Sequence, residues 1–399
     1  MQVPLPSRLA TGELAWASVA AFVRAAGIRG RLDPARIALA YHSERLFTLD
    51  GSIPEVWSPC SGFWRTADGW VRTHGNYPHH ARRMLAGLGI LHHPQQLAPT
   101  LSALSSSDAV SAITRAGGFA VEVLPERPSH DADLRAHPLV EVSPCGSPEP
   151  SAPSTPVDLT DVRILDLTRV IAGPVCTRSL ALLGADVLRI DPPQLPELEV
   201  QHLDTGHGKR SAVLDARSPR FTELLAAADV VVLGYRPASI ARLGLSPEVL
   251  LAEYPGIVVA QLSAWGVAAS ERAGFDSLVQ AESGIALVES PDGDRPGALP
   301  AQALDHSAGY LLAASVLSLL QRRREKGVGG IARTSLRRVA AELLGMPRRE
   351  SPEAVGELDP LAHTAKFEVD GHVLTTARPV VPGYEFQAPR PWGADQPRW

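Results

Sequence analysis

Residues 161–191, DVRILDLTRVIAGPVCTRSLALLGADVLRID, most constrain what this chain can fold into. Val162 to Leu167 is an apolar run of strand length, and the turn Ile171-Ala172-Gly173-Pro174 follows it. Pro174 suits the first turn of a helix, where its missing N–H would be unpaired in any case. The helical run Val175 to Leu183 stops at Gly184, the usual residue for a left-handed C-cap. Val187 to Ile190 is a second apolar strand and runs into Asp191 and two prolines. Strand, tight turn, helix and strand within about 30 residues make the βαβ unit of a parallel sheet. Such sheets take ligands at the carboxyl ends of their strands, so Thr168 to Pro174 is the first candidate site. The unit carries no G-x-G-x-x-G fingerprint, although Asp191 stands where a ribose-binding acid would stand.

Alternation continues beyond this unit. Short apolar strands at Ala212 to Leu214, Val230 to Leu233 and Ile257 to Leu262 are separated by helical runs at Pro219 to Ala227, Pro237 to Arg242 and Pro247 to Glu253. That pattern predicts helices on both faces of a mostly parallel sheet, an α/β class. A long apolar helix is predicted from Ser307 to Arg324, closing in basic residues and Gly327 as the helix dipole favours. Upstream, residues 7–27 predict a helix with Ser7 as N-cap. Residues 63–73 predict a hairpin around Ala67-Asp68-Gly69. With helices at 79–88 and 106–116 and a strand at 119–124, residues 1–142 read as an N-terminal helix plus a small α+β domain. Residues 143–157 hold five prolines and predict an extended linker, 158–345 the α/β domain, and 346–399 a C-terminal extension with a hairpin at Asp370-Gly371.

Composition narrows the function classes. Of 399 residues 45% are apolar and 20% charged, and the net charge of -5 with scattered basic residues argues for neither nucleic acid nor an anionic membrane as partner. Cys60, Cys145 and Cys176 are too few and too far apart for a disulfide framework or a metal motif, which fits a reducing cytoplasm. No signal-peptide pattern opens the chain, so a soluble cytoplasmic protein is expected.

The succession RILDLTRVIAGP, LLGADVLRIDPP, GHGKRSAVLD, ADVVVLGYRP, ARLGLSPE, GFDSLVQAESG and ALDHSAGY resembles the family III CoA-transferases, which include the formyl-CoA and carnitine CoA-transferases and the α-methylacyl-CoA racemases. The likeness covers roughly residues 161–325. A small-domain pattern, WRTADGWV, precedes this core rather than following it, as in a rearranged member. The resemblance implies a Rossmann-like large domain, a smaller α+β domain and an interlocked homodimer. It also implies acyl-CoA and carboxylate substrates, coenzyme A as the bound group, and no metal. It makes Asp305, in Leu304-Asp305-His306-Ser307-Ala308-Gly309, the nucleophile. The helix start would stabilise that carboxylate, and helix capping is its bland alternative. CoA contacts carried over by resemblance are Val170, Ile171, Ala172, Lys209, Tyr235 and Arg242, with Lys209 and Arg242 as phosphate partners.

Two positions depart from the family. Ile171 stands where formyl-CoA transferases have a glutamine, and Gly274-Phe275-Asp276 stands where racemases have G-H-D. The expected activity is CoA transfer through an aspartyl intermediate. Racemisation or epimerisation of an acyl-CoA and non-catalytic CoA binding are the alternatives. His74, His79, His80, His92 and His93 match no metal spacing and are expected as surface histidines, while Trp57, Trp64 and Trp70 are expected in the small-domain core.

Overall fold

A computed structural model of the protein describes residues 2–143, 153, 155–352, 356 and 358–399. Most of the expected linker, residues 144–152 and 154, therefore lies outside the described residues, as do 353–355 and 357 of the C-terminal extension. In chain order the strands are β1 (Thr48–Leu49), β2 (Gly62–Arg65), β3 (Trp70–Thr73), β4 (Ala120–Glu122), β5 (Glu141–Ser143), β6 (Arg163–Leu167), β7 (Asp186–Asp191), β8 (Lys209–Val213), β9 (Val230–Leu233), β10 (Val258–Ser263), β11 (Gly330–Ser335), β12 (Thr364–Val369) and β13 (His372–Ala377).

Seven of them form one sheet in the order β5-β11-β10-β9-β6-β7-β8. All neighbours are parallel except β5, which runs antiparallel to β11. The central strand β9, Val-Val-Val-Leu, is buried along its whole length because helices cover both faces. One face carries the long helix Ala303–Lys326, flanked by the helices Thr11–Ala25 and Ala172–Ala181. The other carries Pro219–Ala226 and Pro247–Glu253, which insert Phe221, Leu224 and Leu250. The fold class read from the pattern is the one observed. The chain passes from β6 outward through β7 and β8, then returns to place β9 on the other side of β6. That reversal is a topological switch point, where α/β sheets open a crevice at the strand ends.

The long helix begins at Ala303, earlier than its apolar run predicts, and ends at Gly327 with φ 72°. By length and composition it could cross a membrane, yet 78% of its most apolar window is buried inside the protein. Each such leucine or valine contributes about 1.5–3 kcal/mol on burial.

A second sheet, β2-β3-β4, packs Val71 against Met84, Leu101 and Ile113 of the helices on its face. The Asp68 side chain closes its hairpin region by accepting from the Ser106 N–H at 2.8 Å. Its other face sets Val121 against Leu278 and Ala281 of the helix Asp276–Ser283. The end of β3 is thereby brought over the amino end of that helix.

Several elements lie elsewhere than composition suggests. The first helix starts at Thr11, not Ser7, whose hydroxyl instead bonds Glu289 at 2.6 Å and receives the Leu9 N–H at 3.1 Å. That helix packs on the long helix rather than on the small sheet. Residues 141–143 extend the large sheet, and β1 joins β12 and β13 in a third sheet. β11 escaped sequence reading because Ile331 is its one large apolar residue and Arg333 sits mid-strand, reaching Gln261 at 2.9 Å. The Asp370-Gly371 hairpin forms with φ 51° and 82°, the left-handed pair that a two-residue turn requires.

Candidate active site

At the switch point β6 ends in a turn whose Val170 has φ 69°. A β-branched residue in the left-handed region is strained by roughly 1–3 kcal/mol and persists only where its surroundings impose it. Glu197 imposes it here. Its carboxylate accepts the Val170 N–H at 3.3 Å, Arg189 at 2.9 Å, Arg169 at 3.3 Å, the Leu198 N–H at 3.0 Å and the Tyr77 hydroxyl. Burial opposes ionisation of Glu197, but Arg189 and Arg169 outweigh it and bring its pKa down to about 2. Gly173 follows in the turn because a Cβ there would lie 2.3 Å from Thr168 Cβ.

The D-x-x-x-G spacing of the long helix has a physical reason. Asp305 and Gly309 are one turn apart on one helix face. A Cβ on Gly309 would stand 2.6 Å from the Ala172 carbonyl oxygen and 2.9 Å from Val175 Cβ. The glycine thus lets the long helix approach the Val170–Ala172 turn, and that approach brings Asp305 beside it.

Asp305 is not the helix cap. The N-cap position is Gln302, without a side-chain cap bond, and the Asp305 N–H is received by Asp276 Oδ2 at 2.9 Å. Asp276 also accepts Gln280 Nε2 at 2.6 Å. Capping is supplied from a neighbouring helix, which releases the Asp305 carboxylate toward a pocket it lines together with Val170, Ile171, Asp276 and Gln302. Burial first, and the Asp276 charge second, push the Asp305 carboxyl well above its ordinary range. Asp276 is raised to about 6 by burial, partly offset by the N–H groups it accepts. Asp276, which accepts N–H donors, keeps the charge of the pair more readily than Asp305, which has none.

The opposite wall comes from the first 80 residues of the chain. His74 stacks on Phe275 with ring centroids 3.6 Å apart and planes 4° apart, and Trp57 stands edge-on to His74 at 6.2 Å. Tyr77 and Glu44 complete this side. Trp57, expected in a domain core, lines the pocket and is 39% exposed. Of the five histidines expected at the surface, His92 and His93 are exposed, whereas His74 is buried and part of the site. Burial pushes the Glu44 carboxyl up to about 7 and holds His74 well below the ordinary imidazole value, so it is neutral. His306 is turned away from the pocket and stacks on Tyr41 at 4.9 Å.

The remaining sequence-predicted residues do not all converge. Lys209 is 3% exposed, with its ammonium 3.1 Å from Asp166 and 2.9 Å from the Pro174 carbonyl, so a phosphate would have to displace Asp166 to reach it. Burial lowers the lysine pKa to about 8 against the pull of Asp166, while Asp166 itself stays below its ordinary value because Lys209, Arg189 and two threonine hydroxyls outweigh its burial. Both are charged near neutrality. Tyr235 lies just beyond β9, its hydroxyl buried without a partner beside the Arg169–Glu197 cluster. Arg242 is exposed and pairs with Glu271 at 2.6 Å. A separate cavity lined by Asp186, Gly208 and Arg210 opens at the amino ends of β7 and β8, the end of a parallel sheet where ligands are not expected.

Sequence reasoning missed Glu197, Asp276 as the capping group, and His74 with Trp57. Only the first offered no signal; Asp276 lay inside a quoted motif, and His74 and Trp57 were singled out without a place.

The family model for CoA-transferase family III matches residues 159–357. A Mycobacterium tuberculosis protein named "Probable fatty acyl-CoA transferase" is 32% identical over 213 residues, 48% of this chain and 53% of that protein. The formyl-CoA:oxalate CoA-transferase of Bradyrhizobium diazoefficiens is 30% identical over 188 residues, covering 43% and 44%. A crystal structure of the mycobacterial protein aligns with TM-score 0.43 and 32% identity over 46% of this chain and 55% of that one. The chain thus spans about half the length of the curated relatives it matches.

Proposed function

Through residues 159–357 the chain belongs to CoA-transferase family III, and on that premise we propose that it moves CoA from an acyl-CoA to a carboxylic acid with Asp305 as nucleophile. The observation that carries this reading is the Asp305 carboxylate, released from capping by Asp276 and facing the pocket beside the Val170–Ala172 turn. The ionised carboxylate attacks the thioester carbonyl, the C–S bond breaks, and the CoA thiolate leaves an acyl-aspartyl anhydride. The thiolate then attacks the Asp305 carbonyl, releasing the donor acid and forming an aspartyl thioester. The acceptor carboxylate repeats the sequence in reverse, which restores Asp305 and yields the new acyl-CoA. Proton count is conserved throughout, so the enzyme needs an anionic Asp305 rather than a proton donor.

Two helix amino ends support the charge that moves. Asp305 sits in the first turn of one, and the start of Ala172–Ala181, with no side-chain cap, borders the same pocket. We assign the Val170-Ile171-Ala172 turn and Tyr235 to the CoA moiety and exposed Arg242 to its phosphates. Lys209 is assigned a structural role. An interlocked homodimer in the cytoplasm, taking small-molecule substrates and no metal, belongs to the same proposal.

One observation favours a second reading. His74 stacks on Phe275, the position at which racemases have histidine, and so returns an imidazole to the Asp305 pocket. Burial and the nearby charge of Arg72 both disfavour the imidazolium that a proton-abstracting His74 would become. Transfer is therefore the preferred activity.

The test is CoA transfer from an acyl-CoA to a labelled carboxylate in D2O. Wild-type protein is expected to transfer without deuterium entering the α-carbon, and Asp305→Ala to lose transfer by at least about 1,000-fold. Retained transfer in that variant contradicts the nucleophile, and deuterium incorporation without transfer selects the racemase reading.

A further inference from the structure

Attack of Asp305 on a thioester carbonyl makes a tetrahedral oxyanion, and the pocket around it holds two further acids, Asp276 and Glu44. Acids repel that charge, so its stabilisation must come from N–H or O–H donors. The Ile171 side chain, on the turn beside Asp305, offers none. The Tyr77 hydroxyl is committed to Glu197, and the Asn76 amide donates to the Val56 carbonyl at 3.2 Å. Neither can turn to a reacting carbonyl without giving up a bond.

His74 is placed otherwise. It follows the end of β3, where its backbone N–H donates to the Phe119 carbonyl at 3.1 Å. The ring lies flat on Phe275, and the residue is 5% exposed and lines the same pocket as Asp305. Its Nδ1 is enclosed without a partner. Its Nε2, which makes no hydrogen bond among the described residues, is not enclosed; in His306, by contrast, both ring nitrogens are. A backbone bond and a ring stack therefore fix this nitrogen before substrate arrives, and a preorganised donor stabilises charge without further reorganisation. Gln201 and Gln302 also line the pocket, but they are half-buried and have no such stack.

Neutrality matters as well. Burial, with His80 and Arg72 nearby, keeps the imidazole uncharged near neutrality. An imidazolium would pair with the carboxylates of the pocket. A neutral ring with its proton on Nε2 polarises a carbonyl oxygen and leaves Asp305 free to attack.

Resting on the CoA-transfer reading, we infer that His74 is a second catalytic residue, whose Nε2–H donates to the thioester carbonyl oxygen as Asp305 attacks and holds the oxyanion until the C–S bond breaks. The proton stays on the imidazole throughout, so the proton count of the transfer is unchanged. The stacked histidine is then an electrophile in CoA transfer rather than the base of a racemase.

Exchange of acetyl-CoA, butyryl-CoA and succinyl-CoA, each against its own labelled carboxylic acid, tests this. Two variants remove the donor: His74→Phe, which keeps a flat ring against Phe275, and His74→Leu. Each is expected to lower kcat about 100-fold or more while KM for the thioester changes by less than about threefold. His74→Gln, which can present an amide N–H to the same oxygen, is expected to recover at least about tenfold of that loss. A wild-type kcat in either donor-free variant overturns the inference and leaves the CoA-transfer reading intact. So does a loss confined to KM, or one that His74→Gln shares in full, because a wall that only shapes the pocket would behave so. No exchange of any of the three thioesters by the wild-type protein overturns the inference together with the CoA-transfer reading.

Discussion

Asp166 and Glu197 are as deeply buried as Asp276 and Asp305, yet the two sets of carboxylates serve opposite ends. Asp166 is matched by Lys209 at 3.1 Å and by the hydroxyls of Thr177 at 2.6 Å and Thr168 at 2.5 Å. Glu197 is matched by two arginines and a tyrosine. These acids are ionised, saturated and inert, and they hold the Val170 turn in its strained form. Asp276 has only N–H donors, and Asp305 has a second carboxylate as its nearest charged neighbour. Compensation makes a buried acid structural. Its absence leaves stored electrostatic free energy that a reaction can use.

Removing compensation from the saturated set should do the most damage to the fold. Lys209→Met leaves Asp166 charged and buried, and is expected to cost about 3–5 kcal/mol in denaturant unfolding. If Lys209 were a CoA phosphate partner instead, the variant would keep its stability and lose CoA affinity.

A smaller effect of opposite sign is expected at the other set. Asp305→Asn removes the like charge and should stabilise the fold by on the order of 1–3 kcal/mol. The Asp305 carboxyl is raised in the folded state above its ordinary value of 3.8, so its penalty is absent below that pH and grows as pH rises through the folded value. The gain in melting temperature should therefore be small near about pH 4 and larger near about pH 8. Wild-type transfer should likewise rise with pH, as Asp305 loses its proton above the ordinary carboxylate range. A gain independent of pH would mean that the two carboxylates do not interact.

The large domain was legible because its strands are apolar on both faces and its helices are punctuated by Pro174, Gly184 and Gly327. β11 and the placement of residues 141–143 were not, since an edge-side strand with Arg333 at its middle carries no periodic signal. In the site, Asp305 and the Val170–Ala172 turn were found through motif order, and the structure brings them together. Lys209 was carried over by resemblance as a phosphate partner, and the pairing of β7 with β8, which sequence does not show, turns its ammonium inward toward Asp166. Glu197 could not be found: its significance is a set of five donors spread from Tyr77 to Leu198, and sequence shows no such convergence. His74 and Trp57 required knowing that the small sheet docks over Phe275.

The most direct measurement is mass spectrometry of the protein after incubation with a panel of acyl-CoAs, with and without hydroxylamine. The proposed mechanism predicts an acyl or CoA adduct on the peptide that carries Asp305, converted by hydroxylamine to an aspartyl hydroxamate. An adduct confined to another residue, or transfer with no hydroxylamine-sensitive adduct, would contradict it.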